Sequence, residues 1–196
     1  MAKDISVVVK EINIQRFVVT IKGKSNLIFH KWDEKSIQMI VDKQMRKSES
    51  NKRTAKNPEE QGEATFYKNK QGKLCIPAIA VKTSMVSACR NVQGLTMALI
   101  KGCVFVRGDE DDLLPIEYEE KSIRRDTVRI GMGMTDVRFR GQVKNWKAKI
   151  PIEFNGDVIS ADQVINLLNI AGFSCGLLEW RPEKGGNYGS FEVIAE

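Results

Sequence analysis

The chain has 196 residues, 42% apolar and 29% charged, with a net charge of +6 at pH 7. That is enough apolar material for one folded core, while no apolar run reaches the length that a membrane-spanning helix needs. The basic excess favours anionic partners such as nucleic acid.

Four cysteines, Cys75, Cys89, Cys103 and Cys175, show no CxxC or Cys/His spacing, which argues against a disulfide framework or a zinc site. The first residues, MAKDISVVVKEINIQ, hold no long apolar segment, so the sequence reads as cytoplasmic.

In chain order, Ile5 to Ile21 alternates and is rich in β-branched residues, predicting one long strand or two short ones. Leu27 to Phe29 is a short apolar run that ends at His30. A helix is predicted over Asp33–Lys47, with Asp33 as cap and Ile37, Ile40, Val41 and Met45 on one face. Lys47 to Glu63 has no apolar periodicity and reads as a flexible insertion within a single domain spanning 1–196. Thr65 to Tyr67 and Leu74 to Ile76 flank KNKQGK as a hairpin.

Pro77 opens a second helix, Pro77–Asn91, and Gly94 ends that segment. Strands follow at Gly102–Val106 and Leu113–Tyr118, then a polar stretch, EEKSIRRD, then strands at Thr127–Ile130, Asp136–Arg140 and Trp146–Phe154. A third helix, Ser160–Ala171, is announced by the capping box Ser160-Ala-Asp-Gln163 and stopped by Gly172. A strand at Cys175–Leu178, a Gly-rich loop and a last strand at Phe191–Ile194 complete an α+β pattern, with the three helices expected on one face of the sheet.

Two stretches carry candidate chemistry. In TDVRFRGQVKNWKAKI, alternation sets Arg138 and Arg140 on one face and Lys147 and Lys149 on one face of the next strand. Adjacent in a sheet, they would form a basic stripe for a phosphate backbone, with Arg124, Arg125, Arg129 and Lys144 nearby in sequence. The alternative is a solvated outer face. In the C-terminal stretch, Gly185, Gly186 and Gly189 permit close backbone approach, beside Arg181, Lys184 and Tyr188. Such a loop can hold phosphates on its amides and stack a base on an aromatic ring; a long turn that needs glycine is the alternative.

His30 is the single histidine and has no partner that the sequence can place, so catalysis rests on it alone as a weak candidate. Asp109 to Asp112 with Glu117, Glu119 and Glu120 lack fixed ligand spacing, so neither a metal nor another cofactor is expected.

Three segments in order resemble the RAMP superfamily: a β-rich start ending in LIFHKW, "LCIPAIAVKTSMVSACRN" against that family's Pro-led helix, and "AGFSCGLLEWRPEKGGNYGSFEVI" against its C-terminal Gly-rich loop and last strand. Ser84-Met85 stands where the family has Gly-Ala, and Gly176-Leu-Leu-Glu where it has G-x-G. The RPxKGGxYGxF ending is also similar to proteins of bacteriophages and prophages. The resemblance implies a ferredoxin-like, RNA-recognition-type core with insertions. With the basic strand pair, the Gly-rich loop, the insertion and the shortage of catalytic groups, the expectation is a non-catalytic protein that binds single-stranded RNA or DNA and assembles side by side, as a homo-oligomer or filament. Two alternatives stay open: an endoribonuclease using His30, and a structural phage protein that mimics a CRISPR backbone subunit.

Overall fold

The computed structural model describes residues 9–32, 34–45, 57–109, 111–131 and 133–195. Among these residues ten strands and five α-helices appear in the order β1 (Ile14–Gly23), β2 (Leu27–Ile28), α1 (Glu34–Gln44), α2 (Pro58–Ala64), β3 (Tyr67–Lys68), β4 (Leu74–Pro77), α3 (Ala78–Ala88), α4 (Met97–Cys103), β5 (Val104–Val106), β6 (Leu113–Glu117), β7 (Glu120–Ile130), β8 (Met134–Lys144), β9 (Lys147–Asn155), α5 (Ala161–Ser174) and β10 (Phe191–Ile194). Short 3₁₀ turns follow α3 and precede β10.

The large sheet runs β10-β1-β9-β6-β4-β3, with β5 also paired to β9. Taking β1, α3, β5, β9, α5 and β10 alone gives β-α-β-β-α-β with strand order β10-β1-β9-β5 and antiparallel neighbours throughout. That is the ferredoxin-like arrangement. Everything else is inserted into it. One insertion follows β1 and supplies β2 to β4; another follows β5 and supplies β6 to β8. The two insertions pair with each other: β4 with β6 in the large sheet, and β2 with β8 in a small sheet of order β2-β8-β7.

Strand alternation decides which face is covered. Val19 and Ile21 of β1 lie opposite Ile150 and Ala148 of β9, and all four are buried. Val81, Met85 and Ala88 of α3 and Val164, Leu167, Leu168 and Ala171 of α5 bury against that face. Each fully buried aliphatic side chain contributes roughly 1.5–3 kcal/mol of transfer free energy. Trp146, just before β9, is fully buried; its Nε1–H donates to the Ser25 carbonyl at 2.9 Å and its ring meets Phe191 edge-on at 6.4 Å. The cap of α5 forms as its sequence dictates: Ser160 Oγ accepts from the Gln163 amide and Gln163 Oε1 accepts from the Ser160 amide.

Several expectations are corrected. The segment Gly102–Val106 is strand only from Val104; Thr96 caps α4 instead, its hydroxyl accepting from the Leu99 amide at 3.2 Å. The polar stretch EEKSIRRD belongs to β7 from Glu120 on: Glu120 pairs with Lys144 of β8 and Arg124 with Gln142, while Lys121 and Arg125 stay exposed on a strand held by its backbone ladder. Cys175–Leu178 is loop, with Leu178 at φ 58°. Of the three helices expected on the sheet, α3 and α5 are there. The apolar side chains of α1, Ile37, Met39, Ile40 and Val41, stay exposed, since α3 takes the crossover position that a helix after β1 would fill.

Asp33 and residues 46–56 lie outside the described residues, so the insertion expected over Lys47–Glu63 is described only at its end. There Asn57 accepts from the Glu59 amide at 3.2 Å, Pro58 occupies the first turn, and α2 forms. No helix among the described residues is long and apolar enough to cross a membrane.

Candidate nucleic-acid interface

The β7–β8 hairpin sets Arg124 opposite Arg140 and Asp126 opposite Arg138, on one face. Two arginines facing each other need a counter-ion, and Asp126 supplies it. Arg140 Nη1 donates to Asp126 Oδ2 at 3.1 Å and Arg124 Nε to Asp126 Oδ1 at 2.9 Å. The other nitrogen, Arg140 Nη2, crosses to the C-terminal loop and donates to Glu179 Oε1 at 3.1 Å. His30 Nδ1 lies 3.5 Å from Glu179 Oε2, and the Arg124 guanidinium sits 4.8 Å from the centre of the Tyr188 ring. One chain of charge therefore runs from His30 through Glu179, Arg140 and Asp126 to Arg124 and Tyr188. The His30 hydrogen bond is the largest influence on Glu179; with Arg140 and Arg181 it outweighs burial and holds that carboxyl below the usual carboxylate range.

The C-terminal loop is folded on itself and tied to β2. The Leu177 amide donates to the Gly189 carbonyl, the Tyr188 amide to Trp180, the Gly189 amide to Asn26 and the Glu179 amide to Ile28. Its glycines answer to this packing. A Cβ on Gly189, which has φ +70°, would sit 2.0 Å from the Leu177 carbonyl oxygen, and one on Gly186 would sit 1.9 Å from that of Trp180. A Cβ on Gly185, by contrast, would meet nothing within 4 Å.

Two cavities open beside this network, and His30 lines both. One, of about 530 Å³, lies between residues 30–32, α2 and β8, with Lys31, Trp32, Gln61, Arg138 and Arg140 in its walls. The other, of about 310 Å³, lies between the start of α3 and the C-terminal loop, with Tyr67, Thr83, Glu179, Arg181 and Glu183 in its walls.

The structure thus gathers part of the expected site and divides the rest. Arg138, Arg140, Arg181, Lys184, Tyr188, Gly185 and Gly186 belong to the hairpin and the loop that it meets. Arg138 is exposed and paired with Asp136 at 2.9 Å; Arg181 is half-buried, paired with Glu183 and donating to the Leu178 carbonyl; Lys184 is exposed. Arg140 is only 4% exposed, so it holds the two segments together and is not a solvent-facing cation. Lys147 and Lys149 lie elsewhere. The strand β9 pairs with β1, β5 and β6 and not with β8, so the continuous basic stripe does not form. The two lysines instead face outward from the large sheet, in a groove of about 770 Å³ shared with Lys73, Glu117 and Thr20.

No protein-family model matches the chain, and no curated protein matches it. Among solved structures that match is the crystal structure of Cmr6 from Pyrococcus furiosus, at 11% identity and a TM-score of 0.45, over 94% of this chain and 100% of that one. The ferredoxin-like assignment rests on the strand order described above.

Sequence reasoning missed Glu179, Asp126, Lys31, Trp32 and Gln61. Asp126 was open to discovery: one carboxylate directly after Arg124-Arg125 is the natural neutraliser of a cross-strand arginine pair. Glu179 gave no local signal, because its partners lie 39 and 149 positions away in the chain. Among the described residues no group of His, Cys, Asp or Glu has the geometry to hold a metal, and all four cysteines are buried and unpaired with one another. The acidic turn is internally used: Asp109 Oδ1 accepts from the amides of Asp111 and Leu113.

Proposed function

We propose that this protein binds single-stranded nucleic acid, RNA or DNA, without cleaving it, along the cleft in which His30 separates the two cavities. The observation that carries this reading is the make-up of the cleft walls: Lys31, Arg138 and Arg181 stand together with Trp32, Tyr67 and Phe139. Cations track a phosphate backbone and aromatic faces accept bases of any sequence, the combination that single-strand binding requires. A net charge of +6 supports the same partner. The reading extends to copies arranged side by side on one strand, with the exposed row Ile37, Ile40 and Val41 of α1 as surface that a neighbour could cover. Fluorescence anisotropy of labelled RNA and single-stranded DNA, with light scattering of the complex, tests both parts. Binding that weakens with salt supports the first, and a mass that grows in whole subunits supports the second.

A second reading, RNA cleavage, draws on one observation. His30 faces a carboxylate that would orient its ring, Glu179, and it borders both cavities, with Lys31 and Tyr67 also in their walls. Cleavage of labelled RNA without added metal that His30→Ala abolishes would favour it. Intact RNA recovered after prolonged incubation would leave the binding reading alone.

A further inference from the structure

The larger cavity beside His30 is walled by three segments already locked together. The Phe29 amide donates to the Gly141 carbonyl at 2.8 Å, the Lys31 amide to the Thr65 carbonyl at 2.9 Å, and the Gly141 amide to Thr65 Oγ1 at 2.7 Å. Thr65 Oγ1 in turn donates to the Gly62 carbonyl at 2.6 Å. The chain after β2, the end of α2 and β8 at Gly141 are therefore fixed relative to one another by the protein's own hydrogen bonds, which is what a preorganised pocket needs.

Its chemistry divides by position. Lys31 is exposed, with no ion pair among the described residues, and Arg138 is 45% exposed beside it, paired through Nε with Asp136, which also lines the cavity. Arg140 also lines the cavity, but its guanidinium is buried and engaged by Asp126 and Glu179, so it adds positive potential and no direct contact. At the same pocket Trp32 is 57% exposed, unusual for a tryptophan beside a cavity, and Gln61 carries an amide that can both donate and accept. Cations, an open indole face and an amide are the three elements that recognise a phosphate, a base face and a base edge.

From this we infer that the cavity of about 530 Å³ is a nucleotide pocket, taking one nucleotide of the bound strand with its base on Trp32, its base edge at Gln61 and its phosphate at Lys31 and Arg138. The inference rests on the strand-binding reading and deepens it. The volume falls in the range of small-ligand sites.

The test compares wild type with Trp32→Ala, Lys31→Ala and Lys147→Ala, each first checked for an unchanged melting temperature. Adenosine monophosphate, adenosine and ribose 5-phosphate are titrated by calorimetry, and short RNA carrying a single abasic position is scanned by anisotropy. The pocket predicts that adenosine monophosphate binds more tightly than either fragment. It predicts that Trp32→Ala weakens the intact strand roughly 5- to 150-fold, the equivalent of one lost base stack. Trp32→Ala should also erase the penalty of the abasic position, whereas Lys147→Ala should change neither. Intact RNA that binds Trp32→Ala as it binds wild type overturns the pocket and leaves strand binding standing. Failure of wild type to bind strand and mononucleotide alike overturns both.

Discussion

Arg140 Nη2 meets Glu179 Oε1 at 3.1 Å across the seam between the β7–β8 hairpin and the C-terminal loop. The two residues are 39 positions apart, and with Asp126 they make the hairpin and the loop one body. The side chains of Arg140 and Asp126 are 5% and 8% exposed, so each charge depends on the other for solvation.

Arg140→Ala is accordingly a stability variant before it is a binding variant. Removing Arg140 leaves Asp126 with Arg124 alone and takes from Glu179 its contact with the hairpin, so the cost should approach the roughly 3–5 kcal/mol of breaking a buried pair. Urea denaturation should show a lower midpoint with little change in slope. The double variant Arg140→Met/Asp126→Leu should recover only part of the loss, since it removes the most buried pair but leaves Arg124 without Asp126 and Glu179 without Arg140. A single variant as stable as wild type would mean that the pair is not formed.

The same seam carries a pH dependence. The Glu179 carboxyl is held below its ordinary range, first by the His30 hydrogen bond and then by the charges of Arg140 and Arg181. A carboxyl that binds its proton less readily folded than unfolded adds stability that is fully present above the unfolded value, near ~4.3, and is lost as pH falls through the lower folded value. Melting curves from neutral pH downward should therefore fall in that acid window, and Glu179→Gln should flatten this part of the profile. Equal acid sensitivity in wild type and variant would assign the effect to other carboxylates, such as Glu63, which the Lys121 ammonium also holds down.

In the loop, the glycines separate into two groups. Gly189→Ala forces a side chain onto φ +70° and against the Leu177 carbonyl, and should cost at least about 1–3 kcal/mol. Gly186→Ala meets the Trp180 carbonyl and should also destabilise. Gly185 takes φ +76° but faces open space, so Gly185→Asn, which tolerates that conformation, should be close to neutral in thermal melts.

Much of this architecture is written in local pattern. The Ser160–Gln163 capping box, the Val164, Leu167, Leu168 and Ala171 face, and the alternation of Lys147 and Lys149 with Ala148 and Ile150 all hold as read. The pairing of strands is not local, and that is where the reading failed. Nothing between Arg138 and Lys149 says that Asn145, at φ 50°, turns the chain out of one sheet and into another, so two cationic strands adjacent in sequence do not pair. For the same reason Arg140 read as a free cation: alternation gives the face of a residue, but only tertiary structure brings Glu179 to it.

The division of the cations yields a discriminating prediction. Each phosphate neutralised on a single strand contributes about 0.7 to the slope of log K against log salt. Arg138→Ala and Lys31→Ala should each lower the slope by about that amount if the strand follows the His30 cleft. Lys147→Ala/Lys149→Ala should leave it unchanged. The reverse pattern would move the strand to the open face of the large sheet, with Lys73 as its further contact.

The central claim is tested most directly by one titration: labelled single-stranded RNA and DNA against the purified full chain, read by anisotropy over a series of salt concentrations. Single-strand binding along the His30 cleft requires saturable binding at low salt, a linear fall of log K with log salt, and a strand recovered intact. Absence of binding to either strand at low salt would contradict it.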